Sequence, residues 1–325
     1  MTTAKPLKLI LAPMESVTDW LLRDLLSSLG GLDRCVTEFV RVTDTLLPKR
    51  VFYRYAPELN NGSKTHSGTP VYIQLLGQDP HVMAANAARA ASLGAAGIDL
   101  NFGCPAKTVN RHCGGAWLLQ SPRDIAEIVT AVRAAVPSSV PVTAKMRLGF
   151  TDKSLYLDNA HAIADSGANQ LCVHARTKLE GYKPPAHWEY IADINEAISI
   201  PVVANGDIWS VEDLQRCQSM TGCDHFMLGR GLLAQPYLAG LVQGTRTDAS
   251  WSQALELLIH FQGLCNEHYV SRHAGDRLKQ WLVYMRRQFP QAAVLFHQIK
   301  RIREPEELMA TLVASRETRH LLAIA

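Results

Sequence analysis

The sequence predicts an α/β protein: a (β/α)8 TIM barrel over residues 1–244, followed by a small all-helical domain over residues 245–325. Three observations predict it. Eight short β-rich runs alternate with helical patterns over about 240 residues, the size and rhythm of such a barrel. Several of these runs are apolar throughout, as parallel strands covered on both faces must be. After Gly244 no strand-like run is evident, and helical periodicity continues from Trp251 nearly to the end.

The elements follow in order. Strands are expected at 8–12, 35–39 and 71–76. Asp79-Pro80 then opens a helix over 79–93, with proline at a first-turn position where no intrahelical N–H is needed. Gly94 ends that helix, and the fourth strand is expected at 97–101. Ser121-Pro122 opens a helix over 122–136 ahead of strand five at 142–147. A helix over 155–166 stops at Gly167, before strand six at 170–174. Strand seven is expected at 201–204, then a helix over 211–219, the terminator Gly222 and strand eight at 225–228. Asp248-Ala249-Ser250 supplies helix-start chemistry for the C-terminal domain. The alternative, a doubly wound sheet, would usually carry a G-x-G-x-x-G turn after its first strand, and none is present.

Composition narrows the class. The chain is 47% hydrophobic, enough for a sizeable core in 325 residues. It has no apolar run of about 18 residues, so no membrane span is expected. The N-terminal residues show no signal-peptide pattern, and a cytoplasmic location is expected. Seven scattered cysteines include no C-x-x-C pair, so neither a disulfide framework nor a metal site is suggested. Cys35 and Cys172 lie in apolar runs and are expected in the core. Residues 1–244 carry 22 basic and 22 acidic side chains, whereas 245–325 carry 11 and 8. Between 272 and 303, Arg272, Arg277, Lys279, Arg286, Arg287, Lys300, Arg301 and Arg303 face a single acid, Asp276. Trp281, Tyr284, Phe289 and Phe296 are interleaved with them. Such a segment is either a solvated amphipathic face with core aromatics or an RNA-binding surface; the charge asymmetry favours RNA.

In a barrel, chemistry sits where strands end and βα loops begin. The expected ends carry Pro13, Met14 and Glu15; Glu38 and Arg41; Gln74; Asn101 and Cys104; Lys145 and Arg147; His174 and Arg176; Asn205, Gly206 and Asp207; and Gly229 and Arg230. Cys104, between Gly103 and Pro105 at a strand exit, is placed to present its thiol to a ligand. The glycines at 206, 229 and 231 follow strands seven and eight, where barrels commonly bind phosphate, and Arg230 adds charge. Lys145 in an apolar strand needs an anion: either a structural carboxylate such as Glu38, or a reduced flavin. His174 is either a hydrogen-bonded core residue or, beside Arg176, a ligand contact.

Together these motifs resemble the tRNA-dihydrouridine synthases over nearly the whole chain. The matching segments are Ala12-Pro13-Met14, Gln74-Leu75-Leu76-Gly77, Asn101-Phe102-Gly103-Cys104-Pro105 with Gly115-Ala116, Lys145-Met146-Arg147-Leu148-Gly149, His174-Ala175-Arg176-Thr177, Asn205-Gly206-Asp207 and Gly229-Arg230-Gly231. Residues 37–42, 46–48 and 279–282 are similar to the bacterial C-type subfamily, which acts on D-loop uridine 16. The resemblance implies FMN held by Pro13, Met14, Glu15, Gln74, Lys145, His174, Asn205, Gly206, Asp207, Gly229 and Arg230. It implies NADPH as reductant and Cys104 as the acid that protonates the uracil C5. It further implies tRNA as partner, met by Arg41, Asn101, Tyr182, Arg277, Lys279, Tyr284 and Lys300; no metal and no protein partner is implied. Phe102 departs from the smaller residue common at its position. Cys113 adds a second thiol to the loop, either an inert residue or an oxidative partner for Cys104. Two rivals are a small-molecule flavin reductase, which leaves the basic tail unexplained, and a non-catalytic RNA-binding protein, which leaves Cys104 and Lys145 unexplained.

Overall fold

The structure, a computed structural model, describes residues 7–322; the outermost residues of both expected domains lie outside the described residues. The chain divides into two compact units, meeting in sequence between Gly229 and Arg230. The sequence pattern sets that boundary at 244/245; the two short helices after Gly229 account for the difference.

The first unit is the barrel. Its strands are β1 (Lys8–Leu11), β2 (Arg34–Val36), β3 (Val40–Arg41), β4 (Val71–Leu76), β5 (Ile98–Phe102), β6 (Val142–Gly149), β7 (Gln170–Thr177), β8 (Val202–Asn205) and β9 (His225–Leu228). They run in the order β2-β1-β9-β8-β7-β6-β5-β4-β3, every strand pairing is parallel, and a further β2–β4 pairing closes the sheet. β2 and β3 share one stave, which gives eight staves. The expected strand 35–39 is therefore corrected: it is broken at Thr37–Phe39. There the Thr37 hydroxyl accepts the Gln74 N–H at 3.0 Å, and Glu38 turns out to accept the Ser16 N–H.

The helices between the strands are α1 (Trp20–Ser28), α2 (Lys49–Tyr55), α3 (Pro80–Ser92), α4 (Lys107–Asn110), α5 (Pro122–Ala135), α6 (Tyr156–Asp165), α7 (Trp188–Ala197) and α8 (Val211–Thr221). The starts read from sequence hold: Asp79 accepts the Val82 N–H at 2.9 Å, and Ser121 caps α5. Ile125, Ile128, Val129 and Val132 give α5 a fully buried face, each side chain worth roughly 1.5–3 kcal/mol. Ile10, Ala12, Val36, Cys172, Val203 and Met227 form one core cluster. Cys35 and Cys172 are buried as expected, and burial pushes both thiols up to about 12.

Strand register arranges the polar side chains in tiers. Gln74, Asp99, Thr143 and Gln170 are register partners in turn. Two residues higher stand Asn101, Lys145, Cys172 and Val203, and above them Arg147, His174, Asn205 and Met227.

The second unit contains α9 (Arg230–Ala234), α10 (Leu238–Val242), α11 (Trp251–His268), α12 (Ser271–Met285), α13 (Pro290–Ile299) and α14 (Pro305–Leu322). Ser250 and Gln253 form a reciprocal capping box at the start of α11. Trp281 is buried, donates its indole N–H to the Leu233 carbonyl at 3.0 Å and meets the Phe261 ring edge-on. Phe289 is buried against Trp251. For these two aromatics the core reading is correct and the base-stacking reading is not. No described helix is long and apolar enough to cross a membrane.

Candidate active site

The chain leaves β5 through a turn made by one side chain. Asn101 Oδ1 accepts the N–H groups of Gly103 and Cys104 at 3.0 and 2.9 Å. The Cys104 carbonyl accepts Asn110 Nδ2 at 3.0 Å and the Ala116 N–H at 3.2 Å, so the loop closes on its own start. Gly115 makes that closure possible. Its φ is +62°, and a Cβ there would lie 3.0 Å from the Cys104 carbonyl oxygen. Cys104 packs with Leu76 and Val109 and is 9% exposed. Burial pushes its thiol up, with the Ala106 N–H pulling the other way. Cys113 is exposed on the same loop, at φ +55°.

Beneath the loop runs a continuous polar relay. Thr143 Oγ1 donates to Asp99 Oδ1 at 2.5 Å, and Gln74 Nε2 donates to Asp99 Oδ2 at 2.7 Å. Asn101 Nδ2 donates to Gln74 Oε1 at 2.8 Å and so ties the relay to the Cys104 turn. Asp99 is missing from the residues singled out in sequence. Its signal is a carboxylate in an apolar strand, two positions before Asn101 and hence on the same face.

Lys145 pairs in register with Asn101 and makes no hydrogen bond or ion pair among the described residues. Burial lowers its pKa, and Arg147 lowers it further against the pull of Cys172 and Asp99. The carboxylate pairing with Glu38 is not formed, because Glu38 holds Ser16. Arg147 bridges two loops: Nε donates to the Gly103 carbonyl at 2.9 Å, and Nη1 to those of Thr177 and Gly181 at 3.1 and 2.8 Å.

On the next staves Arg176 Nη1 donates to His174 Nε2 at 3.4 Å, leaving Nδ1 to carry a neutral imidazole's proton. Arg176 also pairs with Asp207, which sits at φ +52°. Asn205 donates to the Met227 carbonyl at 2.7 Å. Gly206, at φ +124°, would place a Cβ 3.2 Å from His174, and one on Gly229 would lie 3.3 Å from Met14 Sδ. The loop after β1 is held by Thr18, whose Oγ1 accepts the Met14 N–H at 2.8 Å and donates to the Ala12 carbonyl at 3.1 Å. Pro13 and Met14 are half-buried there, and Glu15 is exposed. Cys104, Gln74, Asn101, Lys145, His174, Asn205, Gly206 and Gly229 thus share one end of one barrel. Gly229 is the last residue of that unit and Arg230 the first of α9.

A family model described as dihydrouridine synthase (Dus) matches residues 10–323. The chain belongs to this family. It is 50% identical over 306 residues to the tRNA-dihydrouridine(16) synthase of Shewanella oneidensis, covering 94% of this chain and 97% of that one. It is likewise 50% identical over 309 residues to the enzyme of the same name from Ralstonia nicotianae, covering 94% and 95%. Among solved structures it shares a fold with histamine dehydrogenase from Rhizobium sp. 4-9 (TM-score 0.57, 15% identity, 80% of this chain and 48% of that one). It also resembles an old yellow enzyme homologue from Zymomonas mobilis (TM-score 0.54, 10% identity, 75% and 90%).

In this Dus chain the residues expected to meet tRNA fall into two groups. On the barrel, Arg41 donates to the Thr108 carbonyl at 3.4 Å, and Asn101 is engaged in the Cys104 turn. Tyr182 is 54% exposed, with its ring 5.1 Å from the Arg147 guanidinium and 5.9 Å from the His174 ring. On the helical unit, Arg277 donates to Gln280 and Lys279 donates to the Ile302 carbonyl at 2.6 Å. Tyr284 is half-buried, and Lys300 is exposed with its Nζ 3.1 Å from His297.

Proposed function

We propose that this chain is a flavin-dependent tRNA-dihydrouridine synthase that reduces the C5–C6 double bond of D-loop uridine 16, with FMN as its flavin and NADPH as reductant. The observation that carries the reading is a buried thiol, Cys104, fixed at the exit of β5 one strand from Lys145, whose ammonium has no ion-pair partner among the described residues. The barrel residues fit a flavin. Lys145, which has no ion-pair partner among the described residues, offers an ammonium to an anionic ring edge. Gly206 and Gly229 keep clear the space a Cβ would narrow, and His174 and Asn205 stand in the tier beside them. Pro13, Met14, Glu15, Gln74, Asp207 and Arg230 complete the proposed cofactor set.

Held by these residues and reduced by NADPH, a flavin would supply the hydride that the uracil C6 accepts. Cys104 then does what the protein must do itself: it gives its Sγ proton to C5, and the resulting thiolate is reprotonated from solvent. Burial favours the neutral thiol and so keeps that proton in place at neutral pH. The Asn101–Gln74–Asp99 relay fixes the Cys104 backbone, and Arg147 fixes the adjoining carbonyl. Arg41, Asn101, Tyr182, Arg277, Lys279, Tyr284 and Lys300 form the proposed tRNA contacts. The target base must leave the folded tRNA to reach Cys104.

The test is nucleotide-resolved mapping of dihydrouridine on unmodified tRNA after incubation with protein, FMN and NADPH. Product at position 16 is the expected result. Product elsewhere overturns the position, and no product from flavin-loaded protein overturns the reading in favour of a small-molecule reductase.

A further inference from the structure

One exposed aromatic group near Cys104 takes no part in the chemistry above. Trp117 lies two residues past Gly115, in the 3-10 turn Gly115–Gln120, and is 41% exposed. Its ring stands edge-on to Phe150, with centroids 5.3 Å apart. Phe150 directly follows β6, and strand-like pairing continues past it. The Lys178 N–H donates to the Gly149 carbonyl at 2.9 Å and the Leu179 N–H to the Phe150 carbonyl at 3.0 Å. The Lys178 ammonium sits 4.5 Å from the Phe150 ring centroid. Trp117, Phe150 and Lys178 thus form a fixed ledge at the strand-exit end of the barrel.

The ledge is tied to the Cys104 loop from both sides. Gly115 packs against the Cys104 carbonyl, and Arg147 joins the Gly103 carbonyl to those of Thr177 and Gly181. Its charge is one-sided. From Leu100 through Arg123 there is no Asp or Glu, while Lys107, Arg111 and His112 are exposed. Two carboxylates on the loops after β6 and β7 are already engaged, Glu180 with Lys153 and the Thr177 N–H and Asp152 with Ser154, while the exposed Glu15 bears on Cys104 from the loop after β1. An exposed indole held by packing, among cations, suits an unstacked base and its phosphates. A purely apolar protein partner would have to desolvate those cations without pairing them.

We propose that Trp117 is a stacking platform for a nucleobase of the tRNA adjacent to the uridine delivered to Cys104, with Lys178, Lys107 and Arg111 beside its phosphates. This rests on tRNA being the substrate.

The experiment uses the full-length flavin-loaded protein. Unmodified tRNA transcript is titrated into the wild type, Trp117→Ala and Trp117→Phe across a salt series, with dihydrouridine formation followed in parallel. Trp117→Ala is expected to weaken binding by about 5-fold or more, the scale of removing one base stack. Trp117→Phe should stay within about threefold of wild type, and the salt slope should not change, because the phosphates keep their cations. Equal binding by wild type and Trp117→Ala overturns the platform. So does Trp117→Phe binding as weakly as Trp117→Ala, which assigns the loss to packing. So does a wild-type dimer that Trp117→Ala dissolves, which makes the ledge an interface between copies. Trp117-dependent tRNA binding without any dihydrouridine leaves the platform standing and sinks the synthase reading. A wild type that binds no tRNA sinks both.

Discussion

As the proposed proton donor, the Cys104 thiol would gain from being difficult to ionise where it sits. Burial raises its pKa above the ordinary cysteine value, so the competent, protonated form persists to higher pH than for a free thiol. A proton donor loses function as pH rises through its pKa; dihydrouridine formation should therefore hold through neutral pH and fall on the alkaline side. Cys104→Ala should retain flavin and tRNA affinity but lose roughly 10²- to 10⁴-fold in single-turnover rate, the scale of general acid catalysis. Undiminished product formation by that variant would show that the proton comes from elsewhere. Asn101 acts one step back, since its two ends tie the Cys104 N–H to Gln74 and the buried Asp99. The sequence made Cys104, Lys145 and His174 visible because each is a reactive type at a strand end. It hid the relay, because Asp99 has meaning only once Gln74 and Thr143 stand beside it in register. The same holds for Glu38: its reach to Ser16 depends on a strand break that the apolar run at 35–39 conceals.

Among the elements, the segment joining β7 to α7 is anchored through one carboxylate, Glu180. Glu180 accepts the Thr177 N–H at 2.6 Å and Lys153 Nζ at 2.5 Å, and it lies 3.2 Å from His187 Nε2. Partial burial pushes its carboxyl up, but Lys153 and Thr177 together pull it down to about 2. A carboxyl with a depressed folded-state pKa adds stability above its unfolded pKa. That stability is lost as pH falls through the folded value. Glu180→Gln should therefore lower Tm by roughly 1–2 °C at pH 7, about 1 kcal/mol in a protein of this size. The gap from wild type should narrow below about pH 4.5 and close near pH 2. A gap that stays constant across that range would mean the carboxylate charge contributes nothing. Helix boundaries fare better in sequence than such loops do. Asp79, Ser121 and Ser250 cap helices through their own neighbouring N–H groups, a local interaction that local sequence encodes. Glu180 gathers partners from β7, from the residue before α7 and from the segment after β6, which no short window of sequence contains.

At the scale of the whole molecule, the charge asymmetry belongs to the second unit, and its cations divide into two kinds. Lys279 donates to the Ile302 carbonyl and joins α12 to the turn after α13, while Arg277 reaches Gln280. Arg286, Arg287, Arg301 and Arg303 are exposed. Trp281 and Phe289, which in sequence look like partners for RNA bases, are the core on which those helices pack. The basic pattern was legible because charge survives without coordinates, but which cations face solvent depends on the helix faces that Trp281 and Leu278 bury. The two kinds should separate on mutation. Arg301→Ala combined with Arg303→Ala should weaken tRNA binding at low salt and flatten the dependence of log K on log salt by about 1 for each phosphate no longer neutralised. Tm should stay within about 1 °C, because exposed side chains away from packing contribute little to stability. Lys279→Ala should lower Tm through the loss of a charge-assisted hydrogen bond and also weaken tRNA binding, with the smaller change in salt slope of a single cation. Binding isotherms at several salt concentrations, paired with thermal melts of the same samples, decide between them. If the double arginine variant leaves the salt slope intact while Lys279→Ala flattens it, the phosphate-facing side of the helical unit is the one carrying Lys279.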